Sequence, residues 1–173
     1  MKFKLNKEQL EYALDLAMRR HDAKHSSFRN NTTEKFRNEN KSKMSDKFKV
    51  DFQYMAHFLG VIGELGYSLV TGEDVDEEIY AVRDGGQDFD GVEVKTITYM
   101  GAGEPELKIP VGEYERRIPP NSYVLVRFDL NRNEVDVLGQ ITRSNFDEKK
   151  KKKQYGRNKP LNYIVPLSSM ERL

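Results

Sequence analysis

The segment Asp88-Phe89-Asp90-Gly91-Val92-Glu93-Val94-Lys95 constrains the fold more than any other stretch of this chain. Asp-Gly is a strong signal for a two-residue hairpin loop, because both positions tolerate the positive φ of a type I′ turn. Reversing the chain there sets Phe89 against Val92 and Asp88 against Glu93. Strand alternation then assigns Asp88, Glu93 and Lys95 to one face and Phe89, Val92 and Val94 to the other. Directly opposed residues stand about 5 Å apart at Cβ. Two carboxylates that close, with an ammonium one step along, form a candidate site for a divalent cation and an activated water.

The remainder of the chain fits one domain around that hairpin. Its 173 residues suffice for a sizeable core. Charged residues make up 33% and hydrophobic ones 37%, so much of the chain must be surface. The net charge of +1 conceals a strong segregation. Acids crowd Glu73 to Glu78 and continue through Asp84, Asp88, Asp90 and Glu93, whereas bases crowd Lys149 to Lys153, Arg157 and Lys159. This pattern suits one zone for cations and another for a polyanion. The absence of cysteine excludes disulfides and thiolate metal sites. No apolar run reaches membrane-spanning length, and the N-terminus lacks the apolar core of a signal peptide. These features predict a soluble, cytoplasmic protein with no membrane partner.

Local signals outline the elements. Asn6 with Gln9 three residues on reads as a capping box, opening a helix that Leu10, Ala13, Leu14 and Ala17 continue to about Ala23. Residues 26–48 are polar and rich in Asn and Lys. Residues 1–48 are therefore read as an N-terminal helix with a basic connector, and 49–173 as the main domain. A second helix is expected from Val50 to Thr71, with Phe52, Met55, Leu59, Ile62, Gly66 and Leu69 along one side and Gly72 as terminator. Asp84-Gly85-Gly86 forms a turn before the hairpin. Strands are expected at Thr96–Tyr99, Leu107–Ile109, Tyr123–Phe128 and Glu134–Ile141, with Asn162–Pro166 as a last edge strand. Ser144 is expected to cap a short helix carrying the lysine run. This order predicts an α/β domain.

Three pieces in order, Gly63-Glu64-Leu65-Gly66 in a helix, Gly85-Gly86-Gln87-Asp88-Phe89, and Glu93-Val94-Lys95-Thr96, resemble the PD-(D/E)XK nuclease superfamily. Tyr123–Phe128 and Val135–Ile141 also look like the closing strands of its small phage-type members, so the resemblance covers roughly residues 50 to 170. It implies a restriction-endonuclease-like α/β/α core with a mixed central sheet, and a metal-dependent endonuclease that hydrolyses phosphodiester bonds in DNA. Matched residue by residue, the catalytic set is Glu64, Asp88, Glu93 and Lys95. Asp88 and Glu93, with the Val94 carbonyl, would bind Mg²⁺ or Mn²⁺, hard cations that prefer oxygen ligands. Glu64 would hold a metal-bound water or a second ion, and Lys95 would orient or deprotonate the attacking water. No organic cofactor is implied. Two departures stand out: Asp88 and Glu93 are close in sequence where the family often inserts a longer loop, and Gln87 replaces the motif's proline. Gln87 and Thr96 are candidate supporting groups. A phage-encoded enzyme of this kind would work in the host cytoplasm.

Each piece also has a plainer reading. An acid-x-lysine strand is usually an exposed surface pair, and Asp90 is a second choice as the metal aspartate. Glu64, however, sits among Leu59, Val61, Ile62 and Leu65, where a carboxylate is costly without a partner. The surrounding Gly60, Gly63 and Gly66 predict a helix lying close to the sheet, bringing Glu64 to Asp88. His21 and His25 are read as surface residues without a third metal ligand, and His57 as a packed one. Lys149, Lys150, Lys151, Lys152, Lys153, Arg157 and Lys159 would form a phosphate-contacting arm. Arg116, Arg117, Arg29, Lys35, Arg37, Lys41 and Lys43 are further candidates. Double-strand cutting implies a homodimer, with the N-terminal helix as an interface element. The rivals are a catalytically inactive nuclease-fold protein that binds DNA or a host protein, and an interaction protein whose Glu73–Glu78 stretch binds a basic partner.

Overall fold

Local capping chemistry sets the helices. The computed structural model describes residues 1–27, 52–79, 87–98, 103–115 and 118–173. The connector cations Arg29 to Lys43, the Asp84-Gly85-Gly86 turn, and Arg116 and Arg117 lie outside the described residues. A short strand β1 (Lys2–Lys4) precedes α1 (Lys7–Ser27). The capping box closes as expected: the Gln9 N–H donates to Asn6 Oδ1 at 2.8 Å and the Asn6 N–H to Gln9 Oε1 at 2.9 Å. A 3₁₀ turn, Phe52–Tyr54, leads into α2 (Met55–Thr71). Gly72 ends α2 at φ 78°, a left-handed position that glycine takes without a Cβ penalty.

The strands form two sheets. They are β2 (Val92–Ile97), β3 (Glu106–Pro110), β4 (Ser122–Asp129), β5 (Glu134–Thr142), β6 (Lys151–Gln154) and β7 (Leu161–Pro166), with short helices α3 (Val111–Tyr114) and α4 (Arg143–Lys149) between them. The larger sheet has the order β1-β5-β4-β2 and is mixed: β2 runs parallel to β4, and its other pairs are antiparallel. The smaller has the order β3-β7-β6 and is antiparallel.

Alternation along the strands divides the core. Val92, Val94, Val124, Val126, Phe128, Val135 and Val137 join Ala13, Leu16, Ala17, Met55, Phe58, Val61 and Ile62 in one buried cluster beneath the helices. Tyr123, Leu125 and Ile141 point the other way and meet Leu107, Ile109, Phe146 and Val165. The chain is thus a mixed α/β fold with helices on one face of a mixed sheet. Its second face carries the smaller sheet and α4, where a helical layer is expected. Leu107 and Ile109, and Tyr163 and Val165, repeat with period two, which only a strand can bury on one side.

Three other expectations change. Asn162–Pro166 belongs to the central strand of the smaller sheet, and the lysines form its edge. Charged edge strands are a common guard against pairing with other chains. The lysine run leaves the helix after its first residue: Thr142, not Ser144, caps α4 by accepting the Asn145 N–H at 3.3 Å, and α4 stops at Lys149. Successive lysines offer no apolar helix face and repel at helical spacing, whereas β7 supplies backbone partners. The N-terminal segment is part of the core, because Ala13, Leu16 and Ala17 are fully buried there and β1 extends the sheet. That stripe of α1 is covered within the chain.

The glycines of α2 act as expected at two positions. A Cβ on Gly63 would lie 2.0 Å from Thr96 Oγ1, and one on Gly66 would lie 2.5 Å from Val135 Cγ2. Gly60 makes no such approach, its nearest neighbour being Glu64 Oε1 at 4.0 Å. Among the described residues no helix is long and apolar enough to cross a membrane.

Candidate active site

The Asp90-Gly91 turn forms, with a different conformation from the one expected. Phe89 and Val92 exchange both backbone hydrogen bonds at 3.1 Å. Only Gly91 is left-handed, at φ 74°, so the turn is not type I′ and glycine alone supplies the positive φ. The Gly91 N–H donates to Gln87 Oε1 at 2.8 Å, and the Gly91 carbonyl accepts from Asn121 and Ser122 at 2.7 and 3.0 Å. Gln87 therefore braces the turn, and the turn is anchored to the start of β4.

The hairpin ladder stops after that single pair. The Asp88 N–H also donates to the Val92 carbonyl, at 3.0 Å. The Asp88 carboxylate bends onto the outer edge of β2, where Oδ2 accepts the Val94 N–H at 2.7 Å. Asp88 stands at this edge and not squarely across from Glu93. A strand residue sends its N–H and carbonyl to the same side, so the Val94 carbonyl faces the edge that Asp88 occupies. From there Asp88 senses carboxylates on both faces of the sheet. Burial, then Glu64, then Glu93 push its carboxyl up to about 7, against the Val94 hydrogen bond and Lys95.

Glu93 and Lys95 share the face that alternation assigns them. Glu93 is 5% exposed, and Lys95 Nζ donates to Glu93 Oε1 and to Glu113 Oε1, each at 2.7 Å. Burial works to lower the Lys95 pKa, but Glu93 and Glu113 outweigh it and hold it above its ordinary value. Both carboxylates thus favour the charged form of Lys95.

Glu64 is 3% exposed, and its burial is offset by an unexpected partner. Arg20 on α1 donates from Nη1 to Glu64 Oε1 at 2.7 Å and from Nη2 to Oε2 at 2.9 Å, with a third bond to the Asp76 carbonyl at 2.6 Å. Burial alone would lower the Arg20 pKa, but Glu64, Asp88 and Asp76 hold it above its ordinary value. The sequence carried a signal for the burial of Arg20, which continues the stripe Ala13, Leu16 and Ala17 at helical spacing, but none for its partner. Glu113 had no such signal, because its place beside Lys95 depends on how β3 and α3 pack.

The remaining candidates separate. His21 is buried, not superficial, and packs edge-on against Tyr54 at 4.9 Å and His57 at 5.5 Å. The His25 side chain lies outside the described residues. Asp90 is exposed. Among the described residues Thr96 Oγ1 has no hydrogen-bond partner although it is buried, wedged beneath Gly63. In the basic segment, Lys149 Nζ donates to the Ser169 carbonyl at 3.3 Å, Lys150 Nζ to Tyr114 Oη at 2.8 Å and Lys153 Nζ to Glu106 Oε1 at 2.8 Å. Lys151, Lys152, Arg157 and Lys159 are exposed. Glu113, which holds Lys95, and Tyr114, which holds Lys150, are adjacent in α3, so the basic segment begins beside the site. Among the described residues no three His, Cys, Asp or Glu side chains stand together as a ligand set. Comparison with known proteins returns no matching family model, no similar curated protein and no similar solved structure.

Proposed function

We propose that this chain is a metal-dependent nuclease that hydrolyses phosphodiester bonds in DNA. The observation that carries the reading is the meeting of Asp88, Glu93 and Lys95 at one end of β2, with Glu64 near enough to act on the Asp88 charge. In this reading α2, the Asp90-Gly91 hairpin, β2 and β4 are the core of a restriction-endonuclease-like fold, and the smaller sheet is an addition to it.

The donor set suits Mg²⁺ or Mn²⁺. Mg²⁺ is commonly held by one or two carboxylates and completed by waters and substrate oxygens, so three converging side chains are not required. Asp88 and Glu93 would hold the ion, with the Val94 carbonyl on the same edge. When bound, it lowers the pKa of water and polarises the phosphate. The chain's own residues do the rest. Asp88 ionises fully once its repulsion from Glu64 and Glu93 is compensated. Lys95 offers positive charge to the phosphate oxygens as negative charge grows on them, and Glu93 with Glu113 fix its position. Glu64, clasped by Arg20, acts through its charge; direct ligation would require that pair to open.

The closed Arg20–Glu64 pair also favours a second reading, an inactive nuclease-fold protein that binds DNA. Incubation with supercoiled, linear and single-stranded DNA, in Mg²⁺ or Mn²⁺, separates the two. Cleavage is expected in the wild type and lost in Lys95→Ala and Asp88→Ala. No cleavage with either metal removes the enzyme, and cleavage that survives both substitutions removes the site.

A further inference from the structure

We propose that Arg20 takes the place of a second metal ion, so that the site holds a single divalent cation, on Asp88 and Glu93. This rests on the metal-dependent reading above. Arg20 lies on α1, before the residues that carry the nuclease resemblance, and the resemblance therefore assigns it no role.

The pair is built into the fold. Arg20 donates to both oxygens of Glu64, at 2.7 and 2.9 Å, and the two side chains are 20% and 4% exposed. A further bond from Nη2 reaches the Asp76 carbonyl at 2.6 Å. Two turns earlier on α1, Tyr12 donates to Glu77 Oε1 at 2.9 Å. The helix thus grips residues 76 and 77 at two points, and its buried Ala13, Leu16 and Ala17 fix where the guanidinium stands. On the other side, Gly63 brings α2 close against Val94 and Thr96 of β2, which sets Glu64 beside the site. The Arg20 charge acts on Asp88 as well as on Glu64.

The chemistry follows from that placement. A buried carboxylate needs a counter-charge, and in a two-ion phosphate site the second ion supplies it. Here a guanidinium supplies it permanently, because arginine does not lose its proton in proteins. Its planar fork matches both carboxylate oxygens at once. Each oxygen keeps a second lone pair, but a dication using it would share one carboxylate with a fixed positive charge. Like charges that close repel most strongly where little water lies between them. Glu64 therefore contributes charge without ligation, and Arg20 is a positioning residue.

The test counts bound Mn²⁺ in the absence of DNA, from the electron paramagnetic resonance signal of the free ion. Thermal unfolding is followed beside it, in Mn²⁺ and in chelator. The wild type should bind one ion. Arg20→Met should bind two, and the second, at about a hundredfold excess over its Kd, should raise the folding equilibrium constant by about a further hundredfold. Arg20→Met/Glu64→Gln, which strands no buried charge, should return to one ion and lose that extra stabilisation. Two ions in the wild type, one in Arg20→Met or two in the double variant would each overturn the assignment, as would a wild type that binds none. One ion in the wild type and two in Arg20→Met, in a protein that cuts no DNA, remove the nuclease and leave Arg20 in this role. DNA cutting by a wild type that holds two ions does the reverse.

Discussion

Replacing Asp88 with asparagine removes a charge that the folded protein resists. Burial, Glu64 and Glu93 raise its carboxyl from 3.8 to about 7. The folded state therefore binds this proton more tightly than the unfolded chain does. Its contribution is undiminished below about pH 3.8, declines as pH climbs through the interval to about 7, and is constant above it. Across that interval the cost amounts to about 4 kcal/mol. Asparagine keeps an oxygen for the Val94 N–H, which Asp88 now accepts at 2.7 Å, and carries no charge. In a metal chelator, Asp88→Asn should match the wild type within about 1 kcal/mol near pH 4, and exceed it by about 4 kcal/mol near pH 8. For a chain of this size that is a rise in melting temperature of about 10 °C. Urea unfolding at several pH values measures the gap. Saturating Mg²⁺ should narrow it, stabilising the wild type by about 2.7 kcal/mol at a hundredfold excess over Kd and leaving the variant unchanged. A gap of the same size near pH 4 and near pH 8 would refute the argument, since no carboxylate would then be titrating between them.

Two further substitutions probe the surroundings of the site. Arg20→Met strands the buried Glu64 carboxylate and should lower stability by about 3–5 kcal/mol; adding Glu64→Gln should restore most of it in urea unfolding, and a double variant no better than the single would show that Arg20 acts through packing alone. Thr96→Val keeps the side chain's shape and removes a buried hydroxyl without a partner, so it should raise stability by about 1 kcal/mol; a clear loss in thermal unfolding would mean that the hydroxyl is hydrogen-bonded after all.

What the sequence determined by itself lies within a few residues of each signal. The Asn6/Gln9 capping box, the end of α2 at Gly72, the turn at Asp90-Gly91 and the division of Glu93 and Lys95 from Val92 and Val94 all follow from neighbours or from strand period. The close approach of Gly63 and Gly66 was legible because a helix has few other reasons to repeat glycine at that spacing. The tertiary structure alone decided the rest. Arg20 and Glu64 are 44 residues apart, and Lys95 and Glu113 are 18 apart. No local pattern says which distant charge will be buried against which. The lysine run became a strand because β7 lay beside it, and Asp88 moved to the edge of β2 because the Val94 N–H there lacked a strand to receive it. Whether a charge is neutralised, and whether a short run pairs, depends on burial and on partners remote in the chain. The acidic hairpin could therefore be read from the sequence, but the ion pairs that hold Lys95 and Glu64 in place could not.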